Sequence, residues 1–597
     1  MGTVTIPTFG GEVPRVTPRL LSENQASVAV NCQLQRGALE ALRAPELVKQ
    51  IGSPAKTIFK HDVDGWLSWD RVATAIKSAV LDVSGEKPLG HVFMTGVYDY
   101  PVQYLSGGVV TRLGIPRPTA APSVTVVDDL ALGTTEVYGW GAETSAEVPA
   151  RYGIENLPTI QEDTATVSGY ADDAIDGLES DSDSGISRST SYCYTYVRYL
   201  ADGIIQQESA PSPPSEVYDI PDGGGCVVSG FTIPDIENLC ITHIRLYRTV
   251  SGTETSNFRF VVEIPVDKLS SKYEDTALDV DISTEILQTS MWDEIPDEAK
   301  GIMRTDNGIY ACFRGNELLV SEPFVAYAYP EEYRLTVEDK IVALAHSDNT
   351  IIMLTEGRPY LATGSDPESL TLTHLPIEQA CVSARSVAMI PGGAVYASPD
   401  GLMLFSSSEQ TILTGETYTR EQWRSLSPET LIGTVLDGRY VGFFENTNRG
   451  ILISLGAKDV VQIELPADWK VRCLYHHSED DCVYMSVGTD SGNGIYKFES
   501  GEPLTYRWRS KPYFTSTLIN ISAVRVEGDF DGKQSVRLSI YGPGQDRARE
   551  NLKVSDSRTK RVNVTRSEKS WNIEVAGTVT VYELRMGTSV SGVEHGE

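Results

Sequence analysis

Positive charge is in short supply: 50 Lys and Arg stand against 82 Asp and Glu, a formal net charge of −32. A surface of that sign repels phosphates, which disfavours a reader of nucleic acid. It suits an acidic, solubilised exterior, and it would equally suit a passage whose acidic lining lets DNA move through without sticking. Long apolar runs are missing as well. No stretch approaches the roughly 20 apolar residues that a bilayer-spanning helix needs, and the opening MGTVTIPTFGG lacks the basic end and apolar run of a signal peptide. Gly2 follows Met1, but the position that myristoylation wants as Ser or Thr is Ile6. A soluble product made in the cytoplasm is expected.

Signatures of catalysis and metal binding are equally sparse. The eight cysteines (Cys32, Cys193, Cys226, Cys240, Cys312, Cys381, Cys473 and Cys482) form no CxxC pair and no Cys/His grouping at zinc spacing. Most are expected to be small buried hydrophobes in a reducing compartment, although Cys473 and Cys482 could meet across a hairpin. There is no HExxH, and His476 and His477 are adjacent, so a strand would send them to opposite faces. Neither a GxxxxGK[ST] phosphate loop nor a GxSxG elbow occurs. Asp62-Val63-Asp64-Gly65 and Asp529-Phe530-Asp531-Gly532 space their oxygens as a calcium loop could, but neither continues to a distal Glu, and turns explain both. Ser398-Pro399-Asp400-Gly401, followed by Phe405, resembles the Asp-box turn of sialidase propellers, yet it occurs once and lacks the usual Trp or Thr. A hairpin turn is the simpler reading. No residue is therefore assigned a catalytic, cofactor-binding or metal-binding role, no cofactor is expected, and the chain is not expected to be an enzyme.

What the sequence does contain is turns. With 51 Gly, 31 Pro and 28 Tyr against 8 Trp in 597 residues, the balance favours a turn-rich, all-β protein. Five turn-plus-strand signals recur: Asp306-Asn307-Gly308-Ile309-Tyr310, Asp348-Asn349-Thr350-Ile351-Ile352, Gly392-Gly393-Ala394-Val395-Tyr396, Asp437-Gly438-Arg439-Tyr440-Val441 and Asp480-Asp481-Cys482-Val483-Tyr484. Their starts lie 42, 44, 45 and 43 residues apart. Turn formers followed by apolar residues describe the start of a strand, and about 40–45 residues is what one four-stranded propeller blade needs. A β-propeller of six or seven blades is expected.

The chain divides accordingly. Residues 1–50 read as an N-terminal arm with a short helix, capped by Ser22 with Gln25 at capping-box spacing and carrying Ala26, Ala29 and Val30 on its apolar face. Residues 51–115 supply the first blade or blades, with Asp64-Gly65 as a hairpin turn before Trp66. Residues 116–290 lose the period and read as an inserted β-sandwich similar to an immunoglobulin or fibronectin type III domain. In it Tyr192, Tyr194 and Tyr196 share one face of a strand, an acidic run from Asp172 to Ser184 is a solvated loop, and the prolines of APSPPSE keep an exposed edge from pairing. Residues 291–510 hold the remaining blades, in which Ile351-Ile352-Met353-Leu354 is apolar on both faces, and Tyr418 to Trp423 form a helical excursion between blades. Residues 511–597 alternate apolar and polar in four runs and read as a terminal β-sandwich. Arg547 to Arg566 is the one stretch where positive charge gathers, and a solvated loop is the expected reading.

The stretch GEVPRVTPRLLSENQASVAVNCQLQRGALEALRAP (Gly11 to Pro45) resembles the opening of a family of tailed-phage virion structural proteins. Looser similarity recurs in ITHIRLYRTVSG (Ile241 to Gly252), FRGNELLVSEPF (Phe313 to Phe324) and YASPDGLMLF (Tyr396 to Phe405). The resemblance is to the β-propeller tail nozzle, the tail hub or tubular protein, of short-tailed phages. It implies a virion protein of the tail, assembled in the bacterial host cytoplasm as a homo-oligomeric ring, commonly a hexamer. Such a ring continues the DNA-ejection channel below the tail adaptor and offers surfaces to fibres or spikes, with transient contact to genomic DNA and no membrane span. The inserted and terminal sandwiches depart from that pattern. The alternative function is a tail-associated glycan-binding or glycan-hydrolysing propeller, resting on the single turn at Asp400. A third is an adhesin whose insert binds a host receptor.

Overall fold

The computed structural model describes residues 3–78, 90–128, 186–199, 206–221, 223–233, 239–250, 257–268, 272–279, 281–406, 409–544, 547–564 and 566–595. The five recurring signals all mark the same place in the fold, the hairpin between the first and second strands of successive antiparallel sheets, although these hairpins differ in length. Their backbone enters the left-handed region at Gly308, Gly392 and Gly438 (φ 84, 80 and 68°) and at Asp348, Asp437 and Asp481 (φ 50, 49 and 44°). Gly, Asn and Asp are the residues that tolerate those angles, which is why the period is written in them.

Seven of the sheets follow one another as blades. Blade one comprises Thr74–Lys77, Val92–Thr95, Val102–Leu105 and Val109–Arg112. Blade two runs from Lys300–Arg304 to Leu335–Thr336, blade three from Ile341–Ser347 to Thr371–His374, blade four from Ala388–Ile390 to Gln410–Ile412, and blade five from Leu431–Leu436 to Val460–Glu464. Each is a four-stranded meander, blade five continuing into a larger sheet. Blade six joins Lys470–His477, Cys482–Thr489 and Gly492–Lys497 to Glu46–Ile51, a strand from the other end of the chain. Blade seven is the two-stranded pair Thr57–His61 and Gly65–Trp69.

The ring closes because every blade shares a core with the next. Phe93 with Ile302 and Tyr310 fills the first seam, Met303 with Ile351 and Met353 the second, and Ile352 and Leu354 with Tyr396 the third. Val395 and Leu404 with Tyr440 and Ile453 fill the fourth, and Val441 and Phe443 with Val483 and Met485 the fifth. Ile58 with Cys473 and Tyr484, then Phe59 with Val92 and Met94, complete the circle. The run Ile351 to Leu354 shows the rule: odd residues face blade two, even residues face blade four, so a strand buried on both sides reads as unbroken apolar sequence. The fold is an all-β propeller.

The chain leaves the ring after Arg112 and returns at Lys300. In between, Ser123–Val127, Gly225–Ser229 and Tyr273–Asp275 form one sheet, and Gln206–Glu208, Tyr192–Tyr199, His243–Thr249 and Phe258–Pro265 form another. Both contribute to one core, Tyr192, Tyr194, Tyr196 and Ile244 meeting Cys226 and Val228. The acidic run Asp172 to Ser184, and with it part of the expected immunoglobulin-like strand order, lies outside the described residues. The expected role of APSPPSE is corrected: it does pair. Ser209, Ser212 and Ser215 donate their backbone N–H groups to the carbonyls of Tyr196, Tyr194 and Tyr192, and their hydroxyls accept the N–H groups of the same three tyrosines. Prolines fill the positions between, where no donor is needed.

The helix expected around Ser22 to Val30 is also corrected. Pro18–Leu20 is a single 3₁₀ turn, and Ala26–Val30 is a strand. Half of the capping box is present, the Ser22 N–H donating to Gln25 Oε1 at 2.9 Å, but it closes a turn. Ala26, Ala29 and Val30 are buried because that strand sits between Val460–Glu464 of blade five and Tyr506–Ser510. Blade five thereby runs without a break into Tyr506–Ser510, Glu568–Gly577, Val536–Tyr541 and Glu550–Val554. A second sheet, Thr3–Ile6 beside Val581–Gly587, Ala523–Gly528 and Lys560–Arg561, covers the inner side of that extension. The terminal sandwich is therefore assembled from both ends of the chain and shares its core with blades five and six.

Candidate functional surfaces of the ring

The strands nearest the ring axis are the first of each blade, since these neighbour one another around the circle. They carry Lys60, Lys77, Lys300, Arg304, Lys470 and Arg472 and no carboxylate. An acidic lining is thus not what the ring's own axis presents. The acidic residues stand at the turns that end these strands, where they tie blades together. Lys77 of blade one reaches Asp62 of blade seven and Glu479 of blade six, each at 2.7 Å. Lys60 of blade seven meets Asp480 of blade six at 2.5 Å. Burial works against the Lys77 charge, but hydrogen bonds to the two carboxylates outweigh it and hold its pKa above the ordinary lysine value.

Two histidines organise the same end. His61 and His477 each end a first strand, and each ring nitrogen Nδ1 accepts the N–H of the residue three positions on, Asp64 and Asp480, at 3.0 and 3.3 Å. His477 is buried while its neighbour His476 is exposed, the opposite-face arrangement their adjacency implies. Asp64 in turn accepts from the Tyr104 hydroxyl and the Gly107 N–H of blade one. The Asp62 to Gly65 segment is accordingly a structural turn. Asp531 is another, its carboxylate accepting the N–H groups of Lys533 and Gln534. At the ring's other end the Arg385 guanidinium donates to the carbonyls of Lys56 and Arg472 and pairs with Glu445, spanning blades five, six and seven.

The turn at Asp400 is a hairpin between Gly393–Ser398 and Gly401–Ser406. Its carboxylate is held by Gln379 at 3.0 Å and by Arg420. Partial burial raises the Asp400 pKa, the two hydrogen bonds lower it by more, and the net shift is downward. Arg420–Ser425 is the expected helical excursion, with Thr419 and Gln422 forming its capping box and the Trp423 indole donating to Ser398 O. Cys473 and Cys482 do not meet: they lie opposite Ser486 and His477. Among the described residues no group of three or more His, Cys, Asp or Glu is arranged to hold a metal ion, and no helix is long and apolar enough to cross a membrane.

Sequence patterns did not reveal the buried charges, two of which bear on the architecture. In the insert, Arg248 and Asp275 form a wholly buried pair at 3.0 Å, with Tyr192 donating to the same carboxylate oxygen at 2.7 Å. Where the arm meets blades four and five, the buried Glu12 accepts from Gln462 Nε2 at 2.6 Å and from the Tyr418 hydroxyl at 3.2 Å, while desolvation raises its pKa.

No protein-family model matches this chain, and no curated protein does so. Among solved structures it is similar to the β-propeller domain of Myceliophteria thermophila Cps50 (Swd1), at 10% identity over 48% of this chain and 98% of that one, TM-score 0.24. It is also similar to Hsv2 of Kluyvelomyces marxianus, at 8% identity over 49% and 90%, TM-score 0.25. YCF48 of Cyanidioschyzon merolae matches at 11% identity over 50% and 98%, TM-score 0.25. Likenesses at this level carry no argument about what the chain does. The propeller rests on its own strand order and seams.

Proposed function

We propose that this chain is a structural component of a bacteriophage tail, a nozzle ring that extends the DNA-ejection channel below the tail adaptor and gives fibres or spikes their attachment surfaces. The observation that supports the reading best is mechanical. Seven blades close through seven apolar seams, and the sheet of blade five continues through Ala26–Val30 into the terminal sandwich. Interiors packed in this way transmit strain, which is what a load-bearing ring requires. The segments Gly11 to Pro45, Ile241 to Gly252, Phe313 to Phe324 and Tyr396 to Phe405 carry the resemblance to nozzle proteins. In this reading the chain works as a homo-oligomer, its neighbours are the tail adaptor and fibre or spike proteins, and it performs no catalysis.

The test is to image the purified protein, or the particle that carries it, by electron microscopy. Rings of several copies around an open centre are expected; a chain that stays monomeric within intact particles contradicts the proposal. The glycan-hydrolase alternative predicts sugar release from host polysaccharide that Asp400→Ala abolishes. Because Gln379 and Arg420 hold that carboxylate, the expected result is no release from either protein.

A further inference from the structure

Folding sorts the basic residues of the terminal sandwich in a way their order in the chain does not. Arg537 and Lys553 lie directly opposite one another in the antiparallel pair Val536–Tyr541 and Glu550–Val554. On its other side Arg537 faces Ala576, and Ala576 faces Arg507. One transverse row therefore crosses four adjacent strands: Lys553, Arg537, Ala576, Arg507. The three cations are exposed, while Val536, Leu538, Trp508 and Val575, their neighbours in sequence or on the next strand, turn inward and are buried. With strands spaced about 4.8 Å apart, the row is roughly 15 Å wide.

Three facts mark this row as a surface awaiting an anion. Like charges directly opposite on a sheet are destabilising, and a chain with 82 acidic residues has no shortage of counter-charges to place there. The nearby Arg509 and Arg549 are in fact paired, with Glu574 and Glu568. Arg507, Arg537 and Lys553 make no ion pair or side-chain hydrogen bond among the described residues. Ala576, between them, is buried and brings no counter-charge, and the hydroxyl residues Thr505, Ser535, Ser555 and Thr578 stand beside the row at the strand ends.

We propose that this row is a docking surface for an acidic segment of a partner protein. The face is made of four paired strands, a broad surface that suits a complementary protein segment. The row contains no aromatic on which bases could stack. The surface stands whether or not the chain assembles into a nozzle, so failure of one proposal leaves the other intact.

The experiment titrates labelled poly-L-glutamate with the full chain at rising salt, following fluorescence anisotropy. Three proteins are compared: the native chain, a row variant (Arg507→Ser, Arg537→Ser, Lys553→Ser), and an equal-charge control off the row (Arg547→Ser, Arg558→Ser, Arg561→Ser). Salt-sensitive binding is expected, weakened roughly tenfold or more by the row variant and less than about twofold by the control, with neither variant unfolding at a lower temperature than the native chain. Absence of binding by the native chain, or equal weakening in both variants, overturns the proposal. So does tighter binding of single-stranded DNA that depends on the same three residues, which would mark the row as a phosphate site.

Discussion

Ser212 and Tyr194 exchange two hydrogen bonds: the Ser212 N–H donates to Tyr194 O at 2.8 Å, and the Tyr194 N–H donates to Ser212 Oγ at 3.1 Å. A side-chain oxygen stands in for the carbonyl that a partner strand would supply. Ser212→Ala leaves the Tyr194 N–H buried without an acceptor, so a loss of about 1–3 kcal/mol is expected. Ser212→Thr keeps the oxygen and should recover much of it. Urea unfolding followed by tyrosine fluorescence distinguishes the two, and an Ala variant as stable as the native chain would remove this account of the serine spacing.

The buried pair in the insert gives a sharper loss. Asp275→Ala strands Arg248 without its counter-ion, and breaking a buried pair from one side costs roughly 3–5 kcal/mol. The insert should lose its protection from amide hydrogen exchange, while the blade strands, which share no core with it, keep theirs. Equal loss in both would show that insert and ring unfold as one unit.

Ring closure depends on Glu46–Ile51, where Lys49 pairs with Ile495. Lys49→Pro removes one backbone donor from this edge strand and restrains its backbone, at a cost of about 1 kcal/mol for the hydrogen bond alone, and it exposes the edge of Gly492–Lys497 to other chains. Lys49→Ala, which leaves the backbone unchanged, is the control. A lower melting temperature with concentration-dependent aggregation is expected for the Pro variant alone, read by scanning fluorimetry and light scattering.

Glu12 supplies a pH signature. Its folded pKa is raised by burial, so the folded protein holds that proton more tightly than the unfolded chain does. Ionised Glu12 therefore costs stability at neutral pH, and the cost is relieved as pH falls through the raised folded value. Glu12→Gln is expected to be more stable than the native chain at about pH 7.5, with the difference shrinking towards about pH 4. Chemical unfolding across that range checks it; a constant difference would mean that the hydrogen bonds to Gln462 and Tyr418 balance desolvation, and a difference of the opposite pH trend that they outweigh it.

The blades were legible because their turns require particular residues. Gly308, Gly392 and Gly438, with Asp348, Asp437 and Asp481, occupy left-handed backbone that few other residues accept, so the period survives in the sequence. The arm was not legible for the opposite reason. Ala26, Ala29 and Val30 fit a helix face as well as a buried strand, and what decides is contact with Gln462 and Arg507, more than 400 residues away. The serine zipper was hidden because proline argues against pairing, whereas here only every third residue pairs. The basic row was hidden because its three members come from separate strands, and the run from Arg547 to Arg566 contributes only Lys553.

In the function we propose, this closed propeller is one segment of a multi-copy ring. Single-particle electron microscopy of the native assembly tests it most directly. The prediction is a rotationally symmetric ring with an open channel, each copy showing a seven-unit propeller fused to the terminal sandwich. Isolated copies without symmetry in otherwise complete particles, or blades that fail to close at Glu46–Ile51, would contradict it.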